Sequence, residues 1–144
     1  MKLGTLKKQS KMKISLLQRK IWDLCRQIAN VIYSPDCYTC SQKGLVGSNK
    51  QLGHMWAKAS LGANLKYDLR ILRWQCWLCN IHRGGAGADF YARMLKENGQ
   101  VYMDSLQKER QISVKAYDYY LELKEKLEKQ LLALQTNNDI VKLD

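Results

Sequence analysis

The apolar positions change period several times along the chain. Between Ile14 and Tyr33 they fall at Ile14, Leu16, Leu17, Ile21, Trp22, Leu24, Cys25, Ile28, Val31 and Ile32, close to helical periodicity, with Lys and Arg on the other face. Pro35 in "SPD" cannot continue that helix and biases Ser34 away from helical backbone. Residues 36–86 hold no long helical period. They predict short strands near Gln51–Trp56 and Lys66–Trp74, with glycines at 44, 47, 53 and 62 marking turns. A short amphipathic helix is expected over Ala88–Asn98, with Phe90, Tyr91, Met94 and Leu95 on one side and "ENG" at 97–99 as its stop. From Ser113 to Gln135 the pattern predicts a long helix with a stripe of Val114, Tyr117, Tyr120, Leu121, Leu123, Leu127, Leu131 and Leu134. Glu122 to Lys126 and Glu125 to Lys129 support it as i,i+4 pairs. The stripe serves either packing against Ile14–Tyr33 or a homodimer seam.

These elements predict an α+β chain, mostly helical, with a small core flanked by a basic N-terminal helix and a long C-terminal helix. Residues 1–34 form a basic arm and amphipathic helix, 35–100 the core, 101–136 a C-terminal helical region and 137–144 a frayed tail. At 144 residues the chain has room for one domain with appendages.

Charge separates the segments. The formal charge is +11, from 24 Lys+Arg and 13 Asp+Glu. Residues 1–34 carry +7, residues 35–95 carry +5 and residues 96–144 carry −1. A cation this strong points to nucleic acid, because neutralising phosphates releases counterions. The positive excess lies in the first two thirds. No segment approaches the roughly 20 apolar residues of a membrane span, and "MKLGTLKKQSKMK" does not read as a secretory signal. No membrane partner is expected.

The five cysteines are an odd count containing two C-x-x-C pairs, Cys37/Cys40 and Cys76/Cys79. This favours metal ligation over a disulfide framework, in a reducing, cytoplasmic compartment. Two thiolate pairs suit a tetrahedral Zn²⁺. Cys25 sits on the helical stripe and reads as a small buried hydrophobe. The loop between the pairs spans residues 41–75, longer than usual zinc ribbons, and it holds His54. The other histidine, His82, follows Asn80 behind the second pair. Zinc that tethers the two segments would set His54 against the Asn80/His82 turn. One histidine can then activate water, while the other groups hold a divalent ion on a phosphate. The bland alternative is two ordinary polar histidines near a knuckle.

The order C-x-x-C, Gly-His, Gln-Cys-x-x-Cys-Asn, Gly-rich turn and helix resembles the HNH (ββα-metal) nucleases. More narrowly it resembles the NinG/Rap family of lambdoid phage recombination endonucleases, which act on branched DNA. The matching segments are "DCYTC" (36–40), "LGH" (52–54), "LKYDLRILRWQCWLCNIHRGG" (65–85) and "FYARMLKENG" (90–99). The resemblance implies a zinc-bound HNH-like core with structural zinc on Cys37, Cys40, Cys76 and Cys79. It implies His54 as general base, and Asn80 with His82 as ligands of a catalytic Mg²⁺ or Mn²⁺. It also implies recombination proteins as partners and the host-cell cytoplasm as location. Two positions depart from the family pattern. Ile71 stands where an asparagine is usual, and Ala86 stands where "SGN" would place one; Asp68 and Asn64 are the candidates to compensate.

Basic residues around the motif are candidate DNA contacts: Arg70, Arg73, Arg83 and Arg93, with Lys58 and Lys66. Trp56, Trp74 and Trp77 either fill the core or stack on an unpaired base. The leading expectation is a metal-dependent endonuclease on branched or single-strand-containing DNA. The alternative is a non-catalytic, zinc-stabilised DNA-binding recombination accessory protein.

Overall fold

The structure, a computed structural model, describes residues 12–112 and 116–141. Most of the expected basic arm, the first three residues of the expected long helix and the last three of the tail lie outside them. The fold is α+β and mostly helical, with one two-stranded sheet. Among the described residues no helix is long and apolar enough to cross a membrane.

Helix α1 runs Ile14–Ile32 and buries Leu17, Ile21, Cys25, Ile28 and Ala29. That spacing of four, four and three residues is one face of a 3.6-residue helix. The Tyr33 N–H closes the last turn on the Ala29 carbonyl at 3.0 Å, and Pro35 follows. The Cys25 thiol lies in this face with no exposed surface. It donates to the Tyr67 carbonyl, and burial pushes it up to about 12, so it is structural.

Strands β1 (Gln51–His54) and β2 (Leu72–Gln75) pair antiparallel, with Leu52 opposite Trp74 and His54 opposite Leu72. The second strand is shorter than expected. Helix α2 (Ala63–Lys66) and a single 3₁₀ turn (Leu69–Ile71) occupy the start of the expected strand. The cause is local: the Asp68 carboxylate accepts the Arg70 N–H at 2.9 Å, which favours a turn over a ladder.

After β2 come a π-helical turn (Leu78–His82), helix α3 (Gly87–Asn98), helix α4 (Gln100–Arg110) and helix α5 (Tyr117–Val141). The "ENG" stop does end α3, since the Gly99 N–H bonds back to Leu95 at 2.8 Å. Helix α4, not foreseen as a separate element, has a weak signal. Its fully buried residues are only Met103 and Leu106, while Val101 is exposed. Helix α5 extends past Gln135 to Val141.

Two apolar clusters share the hairpin. One joins α1, α5, Leu52, Leu72 and Trp74 around three of the paired cysteines. The Trp74 indole N–H reaches the Ala29 carbonyl at 3.2 Å, which pins β2 to α1. The other joins Met55, Ile71, Phe90, Met94, Met103 and Leu106. The α5 stripe therefore packs on α1: Tyr120, Leu127 and Leu131 are buried, whereas Leu121 is exposed. Ile71 is fully buried, and its carbonyl accepts the Met55 N–H at 3.0 Å.

Replacing Ile28 by Ala should cost about 2–5 kcal/mol in denaturant unfolding, because it leaves a cavity in a closed core. Leu16→Ala on the exposed side of the same helix should stay within about 0.5 kcal/mol.

Candidate metal centre and the histidine cleft beside it

 The two C-x-x-C pairs are separated in the chain by residues 41–75, and the antiparallel hairpin within that segment lets them meet. All four sulfurs lie within 4.8 Å of one another. A tetrahedral zinc with bonds of about 2.3 Å sets its sulfurs about 3.8 Å apart, and the Cys40 and Cys76 sulfurs stand at 3.7 Å. The group could hold a metal ion such as zinc. Three of the four are buried, and Cys40 is exposed. Burial opposes the Cys37 thiolate, but N–H groups of Cys76, Cys40 and Thr39 and the Thr39 hydroxyl outweigh it, holding the thiol at about 6. Burial and the neighbouring thiols push Cys40 up to about 12. A bound cation would stabilise all four as thiolates, the form in which cysteine ligates a metal.

Gln75 braces the two knuckles. It is fully buried, and its amide N–H₂ donates to the Thr39 hydroxyl at 3.1 Å and to the Gly85 carbonyl at 2.8 Å. Its side chain crosses beneath Gly53, where an added Cβ would stand 1.8 Å from the Gln75 Oε1. Only glycine permits that approach. Gly85 has φ +92, and its turn passes beside the His54 carbonyl. Ala86 takes left-handed backbone at φ 48. Asparagine tolerates that conformation better than alanine, so an asparagine there would have a backbone reason apart from any ligand role.

His54 ends β1 and is mostly enclosed. Its ring stacks on Trp22 of α1, with centroids 5.2 Å apart and planes 9° apart. Its Nε2 lies 2.8 Å from the Lys66 carbonyl oxygen. A carbonyl can only accept, so Nε2 carries the proton and Nδ1 holds the lone pair. Burial lowers the His54 pKa, and Lys58 and Lys66 add to that, while the bond to Lys66 opposes it. The imidazole is therefore neutral at pH 7. Lys66 orients it through its backbone and Trp22 through its face. The sequence pattern placed Trp22 only on the apolar stripe. The available signal was its spacing from Arg19 and Arg26, three residues before and four after on one helix face.

A cleft of about 550 Å³ holds His54 and Asn80 together, walled by Trp22, Trp56, Lys58 and the glycine turn. Asn80 donates to the Gln51 side chain at 2.8 Å. His82 does not line the cleft. It is exposed and stacks on Trp77 at 6.4 Å. Positions two apart on a helical turn face different ways, so Asn80 and His82 do not converge. No carboxylate lines the cleft. Asn80 offers one amide oxygen, and Mg²⁺ or Mn²⁺ is normally held through carboxylates. The lining of this cleft offers a hard cation the Asn80 amide oxygen and no carboxylate. Asp68 and Asn64 do not fill the gap either: Asp68 binds Arg70, and Asn64 donates to the Glu109 carbonyl.

The expected DNA-contact residues fall into two groups. Arg70 pairs with Asp68 and Glu109. Arg93 pairs with Glu97 and donates to the Tyr38 carbonyl. Arg73 lies over the Tyr33 ring and donates to the Tyr33 hydroxyl and to three backbone carbonyls. Those three arginines hold the protein together. Lys58, Lys66 and Arg83 have no ion pair among the described residues. Trp74 is core, Trp56 is partly buried under Arg110, and Trp77 is half exposed. No family model, curated protein or solved structure matches this chain.

Two outcomes follow from this geometry. Purified protein should carry one zinc per chain, and Cys79→Ser should lose both the metal and the cooperative thermal transition. The His54 imidazole should titrate below the ordinary value of about 6.5 by NMR, and Trp22→Ala should move its midpoint upward. Folding favours the neutral ring, so this contribution to stability is present above about pH 6.5 and is lost as pH falls through the folded midpoint.

Proposed function

We propose that the protein is a zinc-stabilised DNA endonuclease in which His54 activates water for phosphodiester hydrolysis. One observation carries this reading: a neutral imidazole, fixed by Lys66 and Trp22, whose Nδ1 has no hydrogen-bond partner among the described residues. A base held neutral near physiological pH can accept the proton of an attacking water. Lys58 in the cleft wall would offset phosphate charge, and Arg83 flanks the glycine turn beside it. The order of two paired strands, cysteine knuckle and helix supports an HNH-like core. Branched DNA is the substrate class suggested by the sequence resemblance.

A second reading has its own observation. The carboxylate-free cleft favours a non-catalytic DNA-binding accessory protein that keeps the zinc-supported fold. Labelled four-way, flap, single-stranded and duplex DNA should be incubated with zinc-loaded protein, with and without added Mg²⁺ or Mn²⁺. Cleavage that falls by about 10²–10⁴-fold in His54→Ala is the expected result. Binding without cleavage in every arm would sink the nuclease and leave the accessory protein.

A further inference from the structure

Two neighbouring clefts share Trp22, Leu52 and Asn80 as walls and so form one track. The first contains His54. The second, of about 380 Å³, runs on between α1 and the loop before β1, and is bordered by Arg26 and Lys50. No Asp or Glu lines either part. Among the described residues, Arg26 and Lys58 make no ion pair or side-chain hydrogen bond, and Lys50 bonds only the neutral Asn30 amide while lying over the Trp74 ring. The ion pairs of the described residues lie away from the track, at Lys43–Asp36, Arg70–Asp68 and Glu109, Arg93–Glu97 and Lys124–Glu128.

Uncompensated cations on both ends of an acid-free channel match a ligand with charge repeated along its length. We infer that this track is the path of a phosphodiester backbone, with Arg26 and Lys50 binding phosphates on the far side of Asn80 from His54. The inference rests on the nucleic-acid part of the proposed function and adds α1 to the binding surface. A phosphate at His54 then has its neighbours along the strand held by α1 and by the loop. The strand can be single or belong to a duplex, since both present the same backbone. Helix α1 thus has two faces with two tasks: its apolar face carries the fold, and Trp22 with Arg26 faces the ligand.

The test is fluorescence anisotropy of zinc-loaded full chain on a labelled single strand and on its duplex, across a salt series. The tighter arm identifies the source of the backbone. In that arm Arg26→Glu should weaken binding about tenfold or more at low salt, with Arg26→Gln intermediate, and each should lower the slope of log Kd against log salt by about 1. Lys129→Glu, exposed on α5 and lining neither cleft, should stay within about twofold. Zinc content and the thermal transition confirm that each variant is folded. Wild-type binding in Arg26→Glu would overturn the inference, as would an equal loss in Lys129→Glu or no binding by the wild type. Binding that depends on Arg26 in a protein that never cleaves DNA would overturn the nuclease and leave the track standing.

Discussion

The convergence of four cysteine sulfurs is the constraint on which the rest of the molecule depends. It closes the long loop of residues 41–75 and sets the ends of the hairpin beside each other. Loop closure of this length has an entropic cost, and neither strand exceeds four residues. A two-stranded sheet this short is marginal alone. The Gln75 brace and two apolar clusters hold it in place, and the four cysteines beside it could add a metal ion such as zinc. The buried glutamine explains why Gly53 precedes His54: the brace passes where a side chain would be.

Electrostatics divides the surface. On one side, arginines are neutralised by Asp68, Glu97 and Glu109, or are stacked on tyrosines. They give rigidity, and their charge is already compensated. On the other side, Arg26, Lys50 and Lys58 border a cleft with no acid. Net charge alone cannot separate these cases. A cation attracts phosphate in proportion to the charge that its own neighbours leave uncompensated.

The same separation governs the histidines. His54 is enclosed, stacked and tied through one nitrogen, which sets both tautomer and protonation. His82 is exposed against Trp77. A position near a cysteine pair does not decide which histidine is enclosed; the strand end and the helix turn do. Ile71 is fully buried and fills the second cluster. Orientation of His54 comes from a backbone carbonyl and an indole face.

Local pattern was enough to place α1, α3, the stop at Gly99, the pairing of the cysteine motifs and the packing stripe of α5, because periodicity and ligand spacing are written in short stretches. It was not enough to place α4, whose buried pair is too sparse to show a period, or the turns at Asp68, where a side chain outcompetes a strand. The candidate site divides likewise. Asn80 was legible from its place directly after the second cysteine pair, and His54 as one of only two histidines, in the loop between the pairs. Trp22 and Arg26 were not, because they reach the cleft only when α1 docks on the hairpin. The ion pairs that engage Arg70 and Arg93 were equally hidden, since the pairing of a charge depends on neighbours supplied by other elements. Chemistry-bearing residues were thus determined by the sequence itself, while which of them share a cleft was decided by the packing of helices around the cysteine knuckle, since that packing brings distant segments side by side.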